Sequence, residues 1–203
     1  MPKIERINRK FDCILADPPW NFRTYSDKGK DRSAEKHYSI MTIEAIQSLP
    51  IKDLATEDCV LFLWATSPNL IEAIETIKAW GFTYKTIAFT WVKLTKRGKE
   101  WHWGCGYWTR ANAEYVLLAT RGHPKRADAG VHSIIDWPEE TLVASVGEHS
   151  AKPKIIFDRI EKLLYPCNPI ELFARSVQPG WKALGYEING KDIKVAIDEL
   201  CHK

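Results

Sequence analysis

An α/β architecture with a mostly parallel sheet is what this sequence predicts, on three observations. Short apolar runs of strand length alternate with segments of helical period. Two strand–helix–strand passages imply crossover connections, which join parallel strands. The 203 residues suffice for one core burying roughly 70% of the surface an unfolded chain exposes, so residues 1–203 are expected to form a single domain.

The first strand is Phe11–Ala16, an apolar run that Pro18 forces to stop. Residues 42–49 form a short helix ending before Pro50, and residues 60–64 a second buried strand. Ser67-Pro68, an N-cap and a first-turn proline, then opens a helix with Leu70, Ile71, Ile74 and Ile77 on its apolar face and Gly81 at its end. Residues 82–93, alternating and β-branched, read as a third strand; residues 114–120 and 141–146 read as two more. Residues 153–164 form a helix with Ile156, Ile160, Leu163 and Leu164 inward. A strand over 170–175 and a closing helix over 192–200 complete the chain.

Composition narrows the function classes. A net charge of +3, from 29 basic and 26 acidic residues, permits nucleic-acid binding without demanding it. Cys13, Cys59, Cys105, Cys167 and Cys201 are scattered and odd in number, which suits a reducing compartment. Residues 1–10 are charged and the longest apolar stretch, 59–65, is far short of a membrane span, so a soluble, cytoplasmic protein is expected. His102 and Cys105 have a ligand-like spacing but no second pair accompanies them, so no metal is assigned.

Chemistry is addressed to Asp17-Pro18-Pro19-Trp20. Asp17 follows a strand's carboxyl end, where open α/β sheets place their ligands. The two prolines lack N–H groups, and an ionised aspartate only accepts, so this corner suits a group that donates hydrogens, above all an exocyclic amine. Trp20 adds a flat face for the ring bearing that amine. The same tetrapeptide also reads as a turn, with Asp17 as cap and Trp20 as core. Two further stretches bear on binding. Residues 21–36 are basic and aperiodic, either a solvated charge run or a lid over a polyanion. In 94–112, Lys96, Arg97, Lys99 and Arg110 alternate with Trp101, Trp103, Tyr107 and Trp108 among glycines, a pattern that grips phosphates and unstacked bases unless the tryptophans tuck into the core.

These residues resemble the DPPW-type adenine-N6 methyltransferases, the family of the mRNA adenosine methylase and of bacterial and phage DNA adenine methylases. The likeness runs from about Phe11 to Glu187 and includes E-Y-V-L-L-A-T-R-G-H-P from Glu114, Ser150-Ala151-Lys152-Pro153 and Ile170-Glu171-Leu172-Phe173-Ala174-Arg175. It implies a Rossmann-like S-adenosylmethionine-dependent fold with helices on both faces of the sheet. It also implies a permuted order, with the catalytic motif before the cofactor motif. Asp17, Pro18, Pro19 and Trp20 would be catalytic. Asp17, Pro18, Lys152, Glu171, Phe173, Ala174 and Arg175 would hold the cofactor, Arg175 at its carboxylate. Trp20, Asn21, Tyr38, Lys96, Arg97, Trp101, Trp103, Glu114 and Lys152 would face the substrate. Lys152, at a helix start where acids are favoured, is electrostatically out of place, which supports a functional role.

The sequence departs from that pattern in two places. The loop between Arg175 and Gln178 is two residues shorter than in the mRNA enzyme, and Tyr186 stands where the family usually has Asn. Only ten residues precede the first strand, so an upstream cofactor-binding acid of longer relatives has no match. The function read from the sequence is transfer of a methyl group from S-adenosylmethionine to adenine N6 in DNA. RNA adenosine, cytosine N4 and a non-catalytic nucleic-acid-binding subunit are the alternatives. The expected partner is nucleic acid, DNA before RNA, with no membrane; a homo-oligomer is compatible with the chain.

Overall fold

A computed structural model describes residues 10–20, 41–95, 100–104, 106, 108–135 and 152–202. Seven strands form one sheet in the order β5-β3-β4-β2-β1-β6-β7. They are β1 (Phe11–Ala16), β2 (Ala55–Thr66), β3 (Thr83–Val92), β4 (Ala113–Arg121), β5 (Ile134–Ile135), β6 (Pro169–Leu172) and β7 (Lys182–Leu184). β1 pairs in parallel with β2 and β6, β6 with β7, and β3 with β5, whereas β4 lies antiparallel between β2 and β3. The sheet is therefore mixed and mostly parallel, with β4 alone reversed, in a Rossmann-like arrangement.

Alternation along the strands builds a core on each face. Ile14 and Ala16 of β1, Leu61 and Leu63 of β2 and Ile170 and Leu172 of β6 share one core with α1 (Ile43–Gln47), α2 (Ile51–Leu54), α3 (Leu70–Ala79) and α6 (Ile193–His202). Cys13, Leu15, Phe62, Trp64, Phe89 and Trp91 face the other way, onto Ile156 and Ile160 of α4 (Ile155–Leu164). A strand buried on both sides has no polar face, which is why β1 is apolar from Cys13 to Ala16; Asp12, near its start, is half-buried and accepts from the Asn168 N–H.

Several boundaries differ from the sequence reading. β2 starts at Ala55 because it extends through Thr56, Glu57 and Asp58, whose polarity hides strand character. Ser67–Asn69 is a separate 3-10 turn preceded by Thr66, and α3 begins only at Leu70. Ile71 is exposed, not inward. The buried stripe runs through Leu70, Ala73, Ile74 and Ile77, and Ile71 sits roughly 100° of helix rotation beyond Leu70. α4 starts at Ile155, so Lys152 precedes the helix by three residues and the helix-dipole argument made for it does not apply. β6 ends at Leu172, because Phe173 has φ +63 and turns the chain; Phe173, Ala174 and Arg175 form a turn instead of a strand. The sequence reading also lacks β5, β7, α2 and α5 (Tyr186–Asn189). The expected strand over 141–146 lies outside the described residues. No helix among the described residues is long and apolar enough to cross a membrane.

Candidate active site

The carboxyl ends of β1, β2, β3 and β6 lie at one edge of the sheet, and the reversal of β4 brings its first residues to that same edge. Glu114 pairs in register with Thr66 of β2 and Trp91 of β3. Lys93 follows β3 directly, and Asp17 follows β1, its N–H 3.5 Å from the Leu172 carbonyl of β6. Residues far apart in sequence thus meet in a row of alternating charge.

Lys152 is the hub of that row. Its Nζ donates to Asp17 Oδ2 at 2.7 Å and lies 3.4 Å from Glu114 Oε2, while Lys93 Nζ holds Glu114 Oε1 at 2.5 Å. Side-chain exposure is 14% for Lys152, 11% for Glu114 and 25% for Asp17. Burial alone would drive the lysine proton off, but Asp17 and Glu114 outweigh it and hold Lys152 above its ordinary pKa. Burial likewise opposes a charged Glu114, yet Lys152 and Lys93 hold its carboxyl below the usual range. Two tryptophans floor the row. The Lys152 ammonium lies 5.3 Å from the Trp64 ring centroid and that of Lys93 5.0 Å from Trp91, and the two indoles meet edge to face at 6.2 Å.

Asp17 is followed by a tight corner. The Trp20 N–H donates to the Pro18 carbonyl at 2.8 Å, which leaves that oxygen one lone pair. Trp20 itself, read from sequence as a face for a base, is only 6% exposed and belongs to the core, with its Nε1 donating to the Trp64 carbonyl at 2.9 Å. The corner is therefore clamped to β2, next to the indole that supports Lys152.

On the other side of β1, Glu171 pairs in register with Leu15. Burial, and secondarily the charge of Asp17, push the Glu171 carboxyl up to about 7. The turn beyond it is tightly packed. Ala174 N–H donates to the Leu184 carbonyl at 3.0 Å, and a Cβ on Gly185 would come within 2.1 Å of the Ala174 oxygen. Phe173, a bulky residue at positive φ, adds backbone strain of the kind that clusters at functional sites. Arg175 leaves this turn half-exposed, with Nε 3.9 Å from Glu187 Oε1, and its charge is felt at Lys152.

The aromatic segment after β3 is extended near its base. Thr95 N–H donates to the Glu100 carbonyl, His102 N–H to the Lys93 carbonyl and Gly104 N–H to the Ala111 carbonyl. Trp101, Trp103 and Trp108 are 50%, 62% and 92% exposed, so these rings do not tuck into the core.

Of the residues singled out from sequence, the structure brings Asp17, Pro18, Trp20, Glu114 and Lys152 together, with Glu171 and Arg175 alongside. Trp101 and Trp103 stand on the exposed segment. Asn21, Tyr38, Lys96 and Arg97 lie outside the described residues. The sequence reading missed Lys93, Trp64 and Trp91. Their alternate spacing at the ends of apolar strands, and for Lys93 the glycine-rich connection that follows it, could have flagged them.

Comparison with known proteins places the chain among methyltransferases. The MT-A70 family model matches residues 11–187. The type II methyltransferase M.MunI of Mycoplasma sp is 30% identical over 209 residues, covering 96% of this chain and 84% of that protein. The catalytic subunit METTL3 of the Homo sapiens N(6)-adenosine-methyltransferase is 30% identical over 184 residues, covering 89% of this chain but 29% of that protein. An N(6)-adenosine-methyltransferase MT-A70-like protein of Arabidopsis thaliana is also 30% identical, with 24% of its length covered.

Proposed function

Because the chain belongs to the MT-A70 family, we propose that it transfers the methyl group of S-adenosylmethionine to the N6 amine of adenine in DNA. The observation that carries this reading is the acceptor corner at the end of β1, where Asp17 is held by a buried, charged lysine. Lys152 occupies Oδ2, so the amine is assigned to Asp17 Oδ1 and to the remaining lone pair of the Pro18 carbonyl. Two acceptors on one amine favour a pyramidal nitrogen with its lone pair directed at the methyl donor. The carboxylate stabilises positive charge as the nitrogen is alkylated, an interaction stronger in the transition state than before it. The proton that nitrogen then sheds is received at Asp17 Oδ1.

The donor set beside β6 fits the cofactor. Arg175 is a half-exposed cation suited to a carboxylate, Glu171 is a half-buried acid suited to an amine or hydroxyl, and the Phe173–Ala174 turn supplies an apolar wall. Bound S-adenosylmethionine would supply an electrophilic methyl on a sulfonium. The exposed Trp101, Trp103 and Trp108 would stack on unpaired bases, and a target within a duplex would have to be flipped out.

DNA is preferred over RNA on the likeness to the type II methyltransferase M.MunI, which is 30% identical over 96% of this chain. The test is incubation with methyl-labelled S-adenosylmethionine and either DNA or RNA of mixed sequence, followed by nucleoside analysis. Label in N6-methyldeoxyadenosine is the expected result. Label in RNA adenosine alone would move the substrate, label in N4-methylcytosine would move the target base, and binding without transfer would make the chain a non-catalytic subunit.

A further inference from the structure

We propose that Lys93, which does not touch Asp17, is a positioning residue for methyl transfer: it fixes Glu114, and through Glu114 it fixes Lys152 against the catalytic carboxylate. This rests on the reading of Asp17 as the group that takes the amine. The four charges Lys93, Glu114, Lys152 and Asp17 alternate in sign and sum to zero. Lys93 holds Oε1 of Glu114 at 2.5 Å, which leaves Oε2 directed at Lys152, 3.4 Å away. Lys93 is itself seated on the Trp91 ring, and its backbone N–H lies 3.1 Å from the carbonyl and 3.2 Å from the side-chain oxygen of Asn112. The anchor is thus tied to both strands that carry the site.

Lys152 is pulled in two directions, toward Asp17 at 2.7 Å and toward Glu114. With Lys93 present, half of the Glu114 carboxylate is spoken for, and the shorter contact goes to Asp17. Without Lys93, both oxygens of Glu114 compete for the Lys152 ammonium and draw it from Asp17. Glu114 would also keep only one neighbouring cation to offset its burial. The charged groups facing Glu114 among the described residues are Lys93 from the end of β3 and Lys152 from the segment before α4. Asp17 and Arg175 act at one remove, through Lys152. Loss of a neighbouring cation raises a carboxylate pKa by about 1 unit or more.

The test is single-turnover methyl transfer from about pH 3.5 to 9 by wild type, Lys93→Met, Lys93→Arg, Glu114→Gln and the Lys93→Met/Glu114→Gln double variant. Lys93→Gln replaces Lys93→Met if the latter does not fold. A ¹³C titration of the Glu114 carboxyl in the free protein accompanies it. Lys93→Met is expected to slow transfer about 10-fold, to move the acid limb up by about 1 pH unit and to raise the Glu114 titration, with nucleic-acid affinity within about two-fold of wild type. Lys93→Arg should restore most of the rate, and Lys93→Met should do nothing more in the Glu114→Gln background. An equal loss in that background, or an unmoved Glu114 titration, overturns the proposal. A loss seen instead as weaker binding, with a salt slope lower by about 1, would make Lys93 a phosphate contact. A wild-type protein that transfers nothing to adenine would sink the reading of Asp17, while the carboxyl titration would still decide what Lys93 does.

Discussion

Asp17→Asn keeps the size of the side chain, removes its charge and replaces one acceptor oxygen by a donor NH₂. In this structure that oxygen is not idle: Oδ2 takes a 2.7 Å bond from Lys152, and both side chains are largely shielded from water. Replacing the ion pair by a bond from the same ammonium to a neutral amide oxygen costs about 1–3 kcal/mol. Lys152 keeps Glu114 at 3.4 Å, so the ammonium is not stranded and the protein should remain folded. At about 2–4 °C per kcal/mol for a chain of this length, the thermal midpoint should fall by about 2–12 °C. The larger effect falls on transfer, because the lost carboxylate would have stabilised charge that develops only as the amine is alkylated. A 100-fold drop in the single-turnover rate corresponds to about 2.7 kcal/mol, within the range of one well-placed electrostatic group. Rapid-quench measurement with saturating enzyme reads that rate directly, and calorimetry with S-adenosylmethionine should show nearly unchanged affinity. Single-turnover rates near wild type would refute the assignment of the amine to Asp17. A variant that unfolds outright would return the tetrapeptide to a structural corner.

Glu171→Gln tests the half-buried acid. With its folded pKa raised to about 7, the wild-type protein holds a proton that the unfolded chain releases near 4.5, so stability falls as pH rises from about 4.5 to 7 and then levels. The glutamine variant should lose that slope and gain about 1–3 kcal/mol on wild type at pH 8 in urea titrations; equal slopes would place Glu171 in water. Gly185→Ala puts a Cβ 2.1 Å from the Ala174 carbonyl oxygen and should destabilise by about 1–3 kcal/mol, while weakening S-adenosylmethionine binding because the displaced turn carries Phe173 and Arg175. An unchanged melting curve would show that the turn yields freely. Arg175→Ala should weaken cofactor binding by about 1.5–3 kcal/mol by titration calorimetry. Unchanged cofactor affinity would remove Arg175 from that site.

The strands and helices that were legible in the sequence are those whose burial is uniform or strictly periodic. The stretch of β1 from Cys13 to Ala16 and the middle of β2 are apolar because both faces are covered, and α4 shows its stripe through Ile156 and Ile160. Legibility fails where polar residues continue a strand, as at Thr56 to Asp58, and where strands are two or three residues long, as in β5 and β7. It fails also at Phe173, where a bulky side chain takes a backbone conformation that no propensity would assign to it.

The site was half legible, and the missing half has one cause. Asp17 and Lys152 stand beside prolines that interrupt regular structure, so their local sequence marks them. Lys93 and Glu114 do not: Glu114 is reached only through the family resemblance and Lys93 not at all, because an alternating strand reads the same in either direction and nothing within 114–120 says that β4 runs backwards. The signal lay outside the strand. The connection from β3 to β4 is rich in glycine and has no helical period, whereas parallel neighbours need a crossover that is usually a helix. A connection without one implies an antiparallel pair, and residues 93–95 do pair back onto 100–102. Once β4 is reversed, its first acid must fall at the edge where β1 and β3 end. Lys93 and Glu114 then face each other at the mouth of the hairpin, in reach of the lysine that holds Asp17.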